Sequence, residues 1–412
     1  MFLYNLAIHL LIFGVRVASL FNSKARALVS GRKNLLTTVQ NTFASNTSPV
    51  TWIHCSSLGE FEQGRPIIER LRKEFPGHKL LLTFFSPSGY EVRKNFPGAD
   101  YVFYLPFDTP SNARKWVEVT RPSLVIFVKY EFWFNYSEEL RKNNIPLISV
   151  SAIFRENQVF FKGHGGFFRK ILRNFDHIFV QNLASLKLLQ TIGINKVTVA
   201  GDTRFDRVHE ITSSKDRIEL AETFKGTDKV MVAGSCWHED IEVLVPFINE
   251  TPIKFIIAPH EITESFLQEI ERAIDGRTVR FSKAAGDREL DEANVLLIDN
   301  VGMLSKLYRY GEFAYVGGAF GKGLHNILEA ACYGIPVFFG NKNYQKFTEA
   351  NELIMHGGAF EVNDFSDLRS KYEMVNMPEN FMLACEVTRN YVLTHLGATE
   401  KIIQYCRRVL SK

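Results

Sequence analysis

Residues 315–340 read YVGGAFGKGLHNILEAACYGIPVFFG, and this stretch contains the pattern that decides the fold. An apolar segment ends at Gly317 and Gly318, a second glycine turn and a helical stretch follow, and Gly334 and Pro336 lead into another apolar segment. A strand, a glycine-rich turn, a helix and a second strand in this order are typical of a parallel sheet covered by helices. The stretch therefore predicts one strand–helix–strand unit of an α/β fold.

The same alternation runs through the chain from residue 50 onward. Short, nearly continuous apolar runs predict thirteen strands: TWIHCSS, KLLLTFF, YVFYLPF, SLVIFV, PLISVSA, HIFVQN, KVTVAG, VMVAGS, KFIIAP, TVRFS, VLLID, FAYVGG and PVFFG. Helical stretches such as GRPIIERLRKEF and YSEELRKNN lie between several of them. This pattern predicts doubly wound parallel sheets, which bind ligands beyond the carboxyl ends of their strands.

The polar segment TSSKDRIELAETFKGTDK interrupts the alternation and divides the chain into two halves. We predict an apolar amino-terminal helix at residues 1–22, a Rossmann-like domain at 23–206, a linker at 207–228 and a second Rossmann-like domain at 229–412. The last helical stretch has enough apolar positions to pack back on the first domain. A cleft between two facing domains is the expected place for the active site.

The composition is that of an ordinary folded protein and excludes several functional classes. Of the 412 residues, 46% are hydrophobic and 23% are charged. A net charge of +4 without an arginine-rich stripe argues against nucleic acid as a partner. No HExxH, Cys/His cluster or calcium loop occurs, so no metal site is expected. The five cysteines form no CxxC pair, which indicates reduced thiols in the cytoplasm.

The amino terminus, MFLYNLAIHLLIFGVRVASLF, is strongly apolar and is followed by the basic segment NSKARALVSGRKN. Five Lys or Arg residues and no Asp or Glu precede Glu60. Since the positive charge follows the apolar run, the pattern is not that of a secretory signal. It predicts a membrane-associated helix, with the basic residues at anionic headgroups and the body on the cytoplasmic side. A spanning helix, an interfacial helix and a buried helix of the first domain remain open alternatives.

In the second half, the glycine turns of residues 317–323 and a helix expected to start near His325 and Asn326 suit a phosphate group. A helix amino terminus offers free N–H groups and a positive dipole end. Glu329 lies three residues after Asn326 on the same helix face, where it is placed to accept hydrogen bonds from a ribose. The alternative is a capped helix with Glu329 on its surface.

A second strand–loop–helix junction, VAGSCWHEDIE at residues 232–242, offers further candidates. Ser235 lies in the turn and is a candidate phosphate ligand, and His238 at the helix start is a candidate helper. Acidic residues follow in the first turn, and these are equally typical of helix caps.

The first half offers candidate catalytic groups at strand ends. Glu60 follows the apolar run VTWIHCSSL, where a carboxylate can act as a general base, and the acid-free sequence before it means that no local like charge perturbs it; the alternative is a helix cap. Glu131 lies beyond the strand SLVIFV and near Trp133, as in sugar-binding sites, although a surface loop is the alternative. Arg204 is a candidate to stabilise a departing phosphate, against the alternative of a surface pair with Asp206.

Taken in order, SSLGE, FFSPSGYE, YLPFD, KYEFW, SAIFRE, QN, GDTRFD, GSCWHE and VGGAFGKGLHNILEAACYGIPV resemble the 3-deoxy-D-manno-octulosonic acid (Kdo) transferases of Gram-negative bacteria. The resemblance covers nearly the whole chain. It implies a GT-B-type fold of two Rossmann-like domains that face a central cleft, with the acceptor on the first and CMP-Kdo on the second. It also implies an inverting, metal-independent glycosyltransferase without a cofactor, which moves Kdo to the 6'-hydroxyl of a lipid A precursor, lipid IVA. This step of lipopolysaccharide biosynthesis would take place on the cytoplasmic side of the cell inner membrane.

The resemblance carries roles over to individual residues. It implies that Glu60 is the general base and that Glu131 and Arg204 assist the transition state. The implied contacts to CMP are Pro259, His260, Val301, Gly302, Met303, Asn326, Ile327, Leu328 and Glu329. Additional candidate contacts to the phosphate or the sugar are Ser235, His238, Gly318 and Arg155.

Three positions depart from the family pattern. His260 stands where the family commonly has Arg, and a neutral imidazole lacks the bidentate phosphate contact of a guanidinium. Arg204 replaces an expected Lys, and Met303 an acidic residue. The competing hypotheses are a GT-B transferase that uses a UDP-sugar, a nucleotide-sugar epimerase of the same two-domain plan, and a non-catalytic membrane-bound binding protein that would not need Glu60.

Overall fold

The computed structural model describes residues 1–213, 216–284 and 286–411. Its contacts divide the chain into two compact units. The first unit consists of Met1–Arg207 and the residues from Leu396 onward, and the second consists of Val208–His395. Each unit contains one seven-stranded sheet in which all described strand pairs are parallel.

The first unit begins with three helices, after which strands and helices alternate. Its elements are α1 (Phe2–Ala18), α2 (Ser23–Ser30), α3 (Leu35–Phe43), β1 (Val50–Cys55), α4 (Leu58–Glu74), β2 (Lys79–Phe84), α5 (Pro87–Arg93), β3 (Tyr101–Tyr104), α6 (Pro110–Thr120), β4 (Pro122–Val128), α7 (Phe134–Lys142), β5 (Leu147–Ala152), α8 (Gly166–Leu172), β6 (His177–Val180), α9 (Leu183–Thr191), β7 (Val197–Val199) and α10 (Thr203–Ser213), which crosses into the second unit.

The second unit continues the alternation. Its elements are α11 (Glu219–Lys225), β8 (Val230–Cys236), α12 (His238–Glu250), β9 (Lys254–Pro259), α13 (Glu264–Ala273), β10 (Thr278–Arg280), α14 (Asp287–Asp291), β11 (Val295–Leu297), α15 (Leu304–Leu307), β12 (Phe313–Val316), α16 (Leu328–Ala331), β13 (Val337–Gly340), α17 (Thr348–His356), β14 (Ala359–Val362), α18 (Phe365–Val375) and α19 (Pro378–Thr394). The chain then returns to the first unit as α20 (Ala398–Leu410).

Both sheets reverse their strand order near the middle. The first has the order β3-β2-β1-β4-β5-β6-β7, and the second has the order β10-β11-β9-β8-β12-β13-β14. The chain therefore winds in one direction from β1 and β8 and in the other direction from β4 and β12. In open parallel sheets, ligands bind outside the carboxyl ends of the two strands between which the order reverses.

The first sheet is buried on both faces. Val125 and Phe127 of β4 enter one apolar cluster, and the intervening Ile126 and Val128 enter another. Because neighbouring side chains of a strand point to opposite faces, an apolar layer covers each face of the sheet. This explains the nearly continuous apolar sequence of these strands.

Helix α1 is apolar on two sides. One side packs on the first unit, where Ile8 is buried and the Tyr4 hydroxyl donates to the Asp108 carboxylate at 2.6 Å. The other side exposes large apolar side chains at helical spacing: Leu3, Leu6, Leu10, Phe13 and Val17. In the part of the chain that the structure describes, no helix is both long and apolar enough to cross a membrane.

The α/β fold and all thirteen predicted strands are confirmed. Strand β14 was not predicted, because this edge strand has only four residues, AFEV, and contains a charge. The segment 207–228, expected to be a linker, holds most of α10 and all of α11, whose Ala221 and Phe224 are buried. Residues 214 and 215 of that segment lie outside the described residues.

Helix α20 packs in the apolar cluster of the first unit through Ile402, Ile403 and Cys406. The Asp206 carboxylate holds its start, since Oδ1 accepts from the Gly397 backbone N–H at 2.7 Å and Oδ2 accepts from the Thr399 N–H at 2.6 Å. This carboxylate therefore supplies acceptors for donors at the first turn, which have no partner within a helix.

Replacement of Asp206 with Ala removes both acceptors, and we expect the free energy of unfolding of the first unit to fall by about 1–3 kcal/mol. Urea unfolding followed by circular dichroism measures the loss. The Asp206→Asn variant is the matched control, because it keeps one acceptor oxygen and should lose less. Equal stability of Asp206→Ala and the parent chain would contradict this role.

Candidate active site

The point of reversal in the first sheet brings together two carboxylates that are distant in sequence. Glu60 lies in the first turn of α4, directly after β1, and Glu131 lies in the loop after β4. Because β1 and β4 are hydrogen-bonded neighbours, the segments that follow them emerge side by side. Both carboxylates therefore lie where ligands bind in sheets of this topology.

Glu60 is half-buried, and only one of its oxygens is occupied. Oε2 accepts from the Ser57 backbone N–H at 2.8 Å and from the Ser57 hydroxyl at 3.2 Å. Among the described residues, Oε1 makes no hydrogen bond. Glu60 is therefore a helix cap through one oxygen and offers the other to a ligand, so the two alternatives from the sequence do not exclude each other.

Glu131 is held by a chain of buried hydrogen bonds. Its Oε2 accepts from Trp133 Nε1–H at 2.6 Å and lies 3.0 Å from His54 Nε2. His54 Nδ1 lies 2.9 Å from Thr83 Oγ1, which accepts from Trp52 Nε1–H at 2.7 Å. Because an indole N–H only donates, the chain is satisfied when Thr83 donates to His54 Nδ1 and His54 Nε2–H donates to Glu131. The sequence left open that Glu131 belongs to a surface loop. Its backbone does lie in a loop, but its side chain is buried.

The pKa of Glu60 is raised, first by burial and then by the negative charge of Glu131, while hydrogen bonds from Ser57 and the electrostatic interaction with His54 oppose this rise. The sequence predicts only that no local like charge perturbs Glu60, because no acidic residue precedes it. The like charge comes from the loop after β4, which the strand pairing brings close. A carboxylate with a raised pKa is a stronger base when ionised, as general-base catalysis requires.

Arg204 is held by Asp202 rather than by Asp206. Its Nε and Nη2 lie 2.8 and 2.7 Å from Asp202 Oδ2, and its backbone N–H donates to Asp202 Oδ1 at 2.9 Å. The predicted alternative, a pair with Asp206, is wrong because Asp206 caps α20. Asp202 is buried and was not singled out in the sequence, although its place two residues before Arg204 at a strand end was a usable signal.

Arg155 lies beside the loop that carries Glu131. Its Nη1 donates to the hydroxyl of Tyr130, the residue before Glu131, at 3.2 Å. Lys129, just before Tyr130, has φ +68°, and Ser151 at the end of β5 has φ +56°. Non-glycine residues rarely adopt this left-handed conformation, and such strain concentrates at functional sites.

In the second unit, close-packed loops follow β8 and β12. Ser235 adopts φ +55° at the end of β8, and Gly318 adopts φ +94° after β12. A Cβ atom at Gly317 would lie 2.4 Å from the Ser235 carbonyl oxygen, and one at Gly318 would lie 2.5 Å from the Gly323 carbonyl oxygen. Gly317 is therefore required by the approach of the two loops, and Gly318 by the tight turn within the loop after β12, whether or not a phosphate binds there.

Asp240 forms hydrogen bonds to both of these loops. Its buried carboxylate accepts from the backbone N–H groups of Trp237 at 2.9 Å and Gly318 at 2.8 Å, and from the Tyr315 hydroxyl at 2.9 Å. Burial raises its pKa, and the three hydrogen bonds oppose that rise. The helix-cap interpretation applies to Asp240, which also positions the glycine turn.

His260 belongs to a stack of three rings. Its ring centroid lies 4.4 Å from that of Trp237 and 4.5 Å from that of His325. Trp237 Nε1–H donates to His325 Nε2 at 3.0 Å, and burial lowers the pKa of His325 to about 4. Burial also lowers the pKa of His260. The position where the family pattern has Arg thus carries a neutral ring at pH 7. Trp237 was not singled out in the sequence, since no local pattern indicates its stacking.

The predicted helix amino terminus at His325 and Asn326 is wrong. Helix α16 begins at Leu328 and has only four residues, so it offers no helix-terminal phosphate site. Asn326 and Glu329 do lie side by side, and Asn326 Nδ2 donates to Glu329 Oε1 at 3.1 Å. Asn326 Oδ1 is buried and has no partner in the described part of the chain.

The remaining candidate CMP contacts differ in their exposure to solvent and in the elements that carry them. Val301 is 88% exposed and Gly302 has φ +96°, in the loop before Met303 and α15. Pro259 ends β9, while Ile327 and Leu328 are buried core residues at the start of α16.

His238 contacts two side chains of α13. Its ring lies 3.9 Å from that of Phe266, and Nδ1 lies 3.3 Å from Glu269 of α13. The described ranges contain no group of three or more His, Cys, Asp or Glu side chains that could hold a metal ion.

Comparisons with known proteins identify relatives over most of the chain. A family model described as 3-Deoxy-D-manno-octulosonic-acid transferase (kdotransferase) matches residues 31–207. The 3-deoxy-D-manno-octulosonic acid transferase of Aquifex aeolicus is 30% identical over 335 residues, which are 79% of this chain and 86% of the relative. The protein of the same name from Rickettsia felis is 23% identical over 375 residues, or 90% of this chain and 80% of the relative.

Solved structures share the fold at low sequence identity. A UDP-GlcNAc 2-epimerase from Neisseria meningitidis has a TM-score of 0.60 and 18% identity, covering 87% of this chain and 100% of that chain. MurG from Acinetobacter baumannii has a TM-score of 0.56 and 10% identity, covering 87% of this chain and 99% of that chain. These matches confirm the GT-B-type fold and, at such identities, carry no information on the reaction.

The Glu131→Gln substitution should lower the pKa of Glu60, because it removes the negative charge that disfavours ionisation while keeping a similar shape. Carboxyl ¹³C shifts of glutamate-labelled protein, titrated with pH, measure the change, and Glu60→Gln identifies the signal. Glu69→Gln is a control on the same helix, which should leave the Glu60 pKa unchanged. An unchanged or higher pKa in Glu131→Gln would contradict the coupling.

Proposed function

We propose a reaction for this chain on the premise that it belongs to the 3-deoxy-D-manno-octulosonic acid transferase family and is a glycosyltransferase. It moves Kdo from CMP-Kdo to the 6'-hydroxyl of a lipid A precursor, lipid IVA, with inversion at the anomeric carbon and without a metal ion. The observation that carries this proposal is the pair of carboxylates at the point of reversal of the first sheet. Their surroundings leave an oxygen of Glu60 ready to accept a proton.

The first step is deprotonation of the acceptor. Glu60 Oε1 takes the proton of the attacking primary hydroxyl while Oε2 stays bound to Ser57, so the carboxylate keeps its orientation during the transfer. As the hydroxyl oxygen attacks the ketosidic carbon, the bond to the CMP phosphate breaks and positive charge develops on the sugar ring. Glu131, fixed by His54 and Trp133, supplies negative charge for that ring.

Cations balance the anionic groups of the donor. Arg204, whose guanidinium is oriented by Asp202, is our candidate for the charge of the departing phosphate. Arg155, beside Tyr130, is our candidate for the carboxylate of Kdo. For the nucleotide we propose the loop of Val301 and Gly302 and the other donor-contact residues of the second unit, with Glu329 accepting from the ribose.

The stacked His260 changes the donor site relative to the family pattern. Lys322 Nζ lies 5.4 Å from the centre of the Trp237 ring, on which His260 stacks. A neutral imidazole can donate one hydrogen bond to a phosphate but no positive charge. We therefore propose that His260 contributes orientation, and that the charge of the phosphate is met by other residues.

We also propose that the protein works at the cytoplasmic face of the inner membrane, with α1 in the lipid interface. Its exposed apolar side chains and the acid-free, basic sequence that follows are the two features that bind helices to anionic bilayers. An enzyme placed there meets an acylated acceptor without extracting it from the membrane.

Transfer of labelled Kdo tests the reaction, with CMP-Kdo generated in situ and a tetraacyl lipid A precursor in detergent. We expect the parent chain to transfer Kdo equally with and without EDTA. Glu60→Gln should lower kcat/KM by about 100-fold or more, the usual contribution of a general base. Glu62→Gln, which changes a half-buried neighbour bound to Arg93, is the matched control and should stay active.

Different failures of this assay have different meanings. Transfer only from a UDP-sugar, or epimerisation of one, would replace the proposed reaction with a rival of the same fold. Full activity of Glu60→Gln would remove Glu60 from its role as the base. Loss of activity in EDTA that is restored by a divalent cation would contradict the metal-independent mechanism.

Leu10→Ser together with Phe13→Ser should lower the partition coefficient onto vesicles with anionic phospholipid by about 10-fold or more, since each buried apolar side chain contributes about 1.5–3 kcal/mol. Vesicle flotation measures the change. Met382→Ser together with Leu383→Ser, similarly exposed on α19, is the matched control and should bind as the parent does. Equal binding of both double variants would contradict insertion of α1.

A further inference from the structure

A cavity of about 490 Å³ in the first unit plays no part in the mechanism described above. It lies between α1 and the turn that joins α2 to α3, and its size is that of a small-molecule site. Three cationic side chains line it, Arg16 from α1 and Arg32 and Lys33 from the turn. None of the three forms an ion pair with a carboxylate within the described residues.

Arg32 is a largely buried cation held by neutral groups. Its Nε, Nη2 and Nη1 donate to the carbonyl oxygens of Leu105, Phe85 and Leu28 at 2.8, 2.8 and 3.1 Å. These bonds use three of its five N–H groups. The rings of Phe85 and Phe107 lie 4.8 and 4.7 Å from its guanidinium carbon. A buried charge without a counter-charge is costly, and an anion in the cavity would offset that cost.

The cavity is connected to the catalytic carboxylates by aromatic rings. Phe85, which contacts Arg32, stacks on Trp133 with ring centroids 5.2 Å apart and an angle of 28°. Trp133 in turn donates to Glu131 at 2.6 Å. Two ring contacts and one hydrogen bond therefore separate the cationic cavity from Glu131. Flat aromatic faces next to polar groups are suited to the rings of a sugar.

On its other side, the cavity borders the exposed apolar side of α1. Ile12 and Arg16 of this helix line the cavity, while Leu10, Phe13 and Val17 are exposed beside them. Residues 1–59 contain no Asp or Glu. The carboxylate of Asp108, next to the lining residue Phe107, already accepts from the Tyr4 hydroxyl and from the backbone N–H groups of Asn135 and Tyr136. From Glu131 outward, the surfaces therefore follow one another in a fixed order: the aromatic rings of Trp133 and Phe85, then the cationic cavity, then the exposed apolar side of α1.

We infer that this cavity is the subsite for a phosphate group of the acceptor, an acylated and phosphorylated glycolipid. The inference rests on the proposed function, which supplies the acceptor, and it adds the residues that recognise it. Arg32 and Lys33 with Arg16 bind the phosphate, the sugar rings pack along Phe85 and Trp133 toward Glu131, and the acyl chains follow α1. The subsite holds the glycolipid in one direction, with its hydroxyl at Glu60.

The test compares a phosphorylated acceptor with the same glycolipid after removal of its phosphates. Arg16→Gln combined with Lys33→Gln should raise the KM for the phosphorylated acceptor by about 10-fold or more, the usual loss for charge-assisted contacts. The KM for the dephosphorylated acceptor should not change, because the lost contact is absent there. Arg32 stays in place, since its carbonyl contacts support the fold.

Lys187→Gln combined with Lys196→Gln is the matched control, which removes two exposed charges from the same unit and should change either KM less than about 2-fold. Equal effects of the Arg16/Lys33 variant on both acceptors would overturn the inference. The inference would also be overturned if the Arg16/Lys33 variant lost binding to anionic phospholipid vesicles while both KM values stayed unchanged. That result would assign the cavity to the headgroups of the bilayer. Direct binding of the phosphorylated glycolipid to the parent chain and the variant separates these results from a failure of the proposed reaction.

Discussion

Parallel pairing of β1 with β4 is the constraint on which the chemistry of the first unit depends. The two strands are neighbours in the sheet, but their following segments wind in opposite directions, an arrangement that leaves a crevice outside the carboxyl ends of the two strands. Glu60 and Glu131 emerge into this space from segments that are far apart in the chain. The second sheet repeats the arrangement at β8 and β12, where Ser235 and the glycine turn of Gly318 emerge.

The proximity of Glu60 and Glu131 is electrostatically unfavourable, but it also makes Glu60 a stronger base. Burial and then the negative charge of Glu131 disfavour the ionised form of Glu60, and its pKa is raised. Hydrogen bonds offset this cost: Ser57 binds Glu60, while His54 and Trp133 bind Glu131. A base that is poorly solvated and kept in one orientation by its neighbours is well suited to take a proton from an alcohol.

Much of the fold follows from local sequence patterns, and so does part of the candidate site. Apolar runs bounded by polar helices locate the strands, since burial on both faces leaves no room for polar side chains. Glu60 and Glu131 could be singled out because each follows such a run. The helix expected at Asn326 and the pairing of Arg204 with Asp206 were wrong, because glycine-rich and strand-end segments are shaped by contacts with distant parts of the chain.

The sequence alone determined the alternation of strands and helices, the acid-free basic amino terminus and the positions of the two carboxylates, because hydrophobic periodicity and charge are local properties. Tertiary structure decided which groups meet. The chain from Trp52 through His54 to Glu131 joins three strand ends, and the unpaired charge of Arg32 depends on which carbonyl groups surround it. Such contacts depend on strand order and on the packing of loops, which no local pattern encodes.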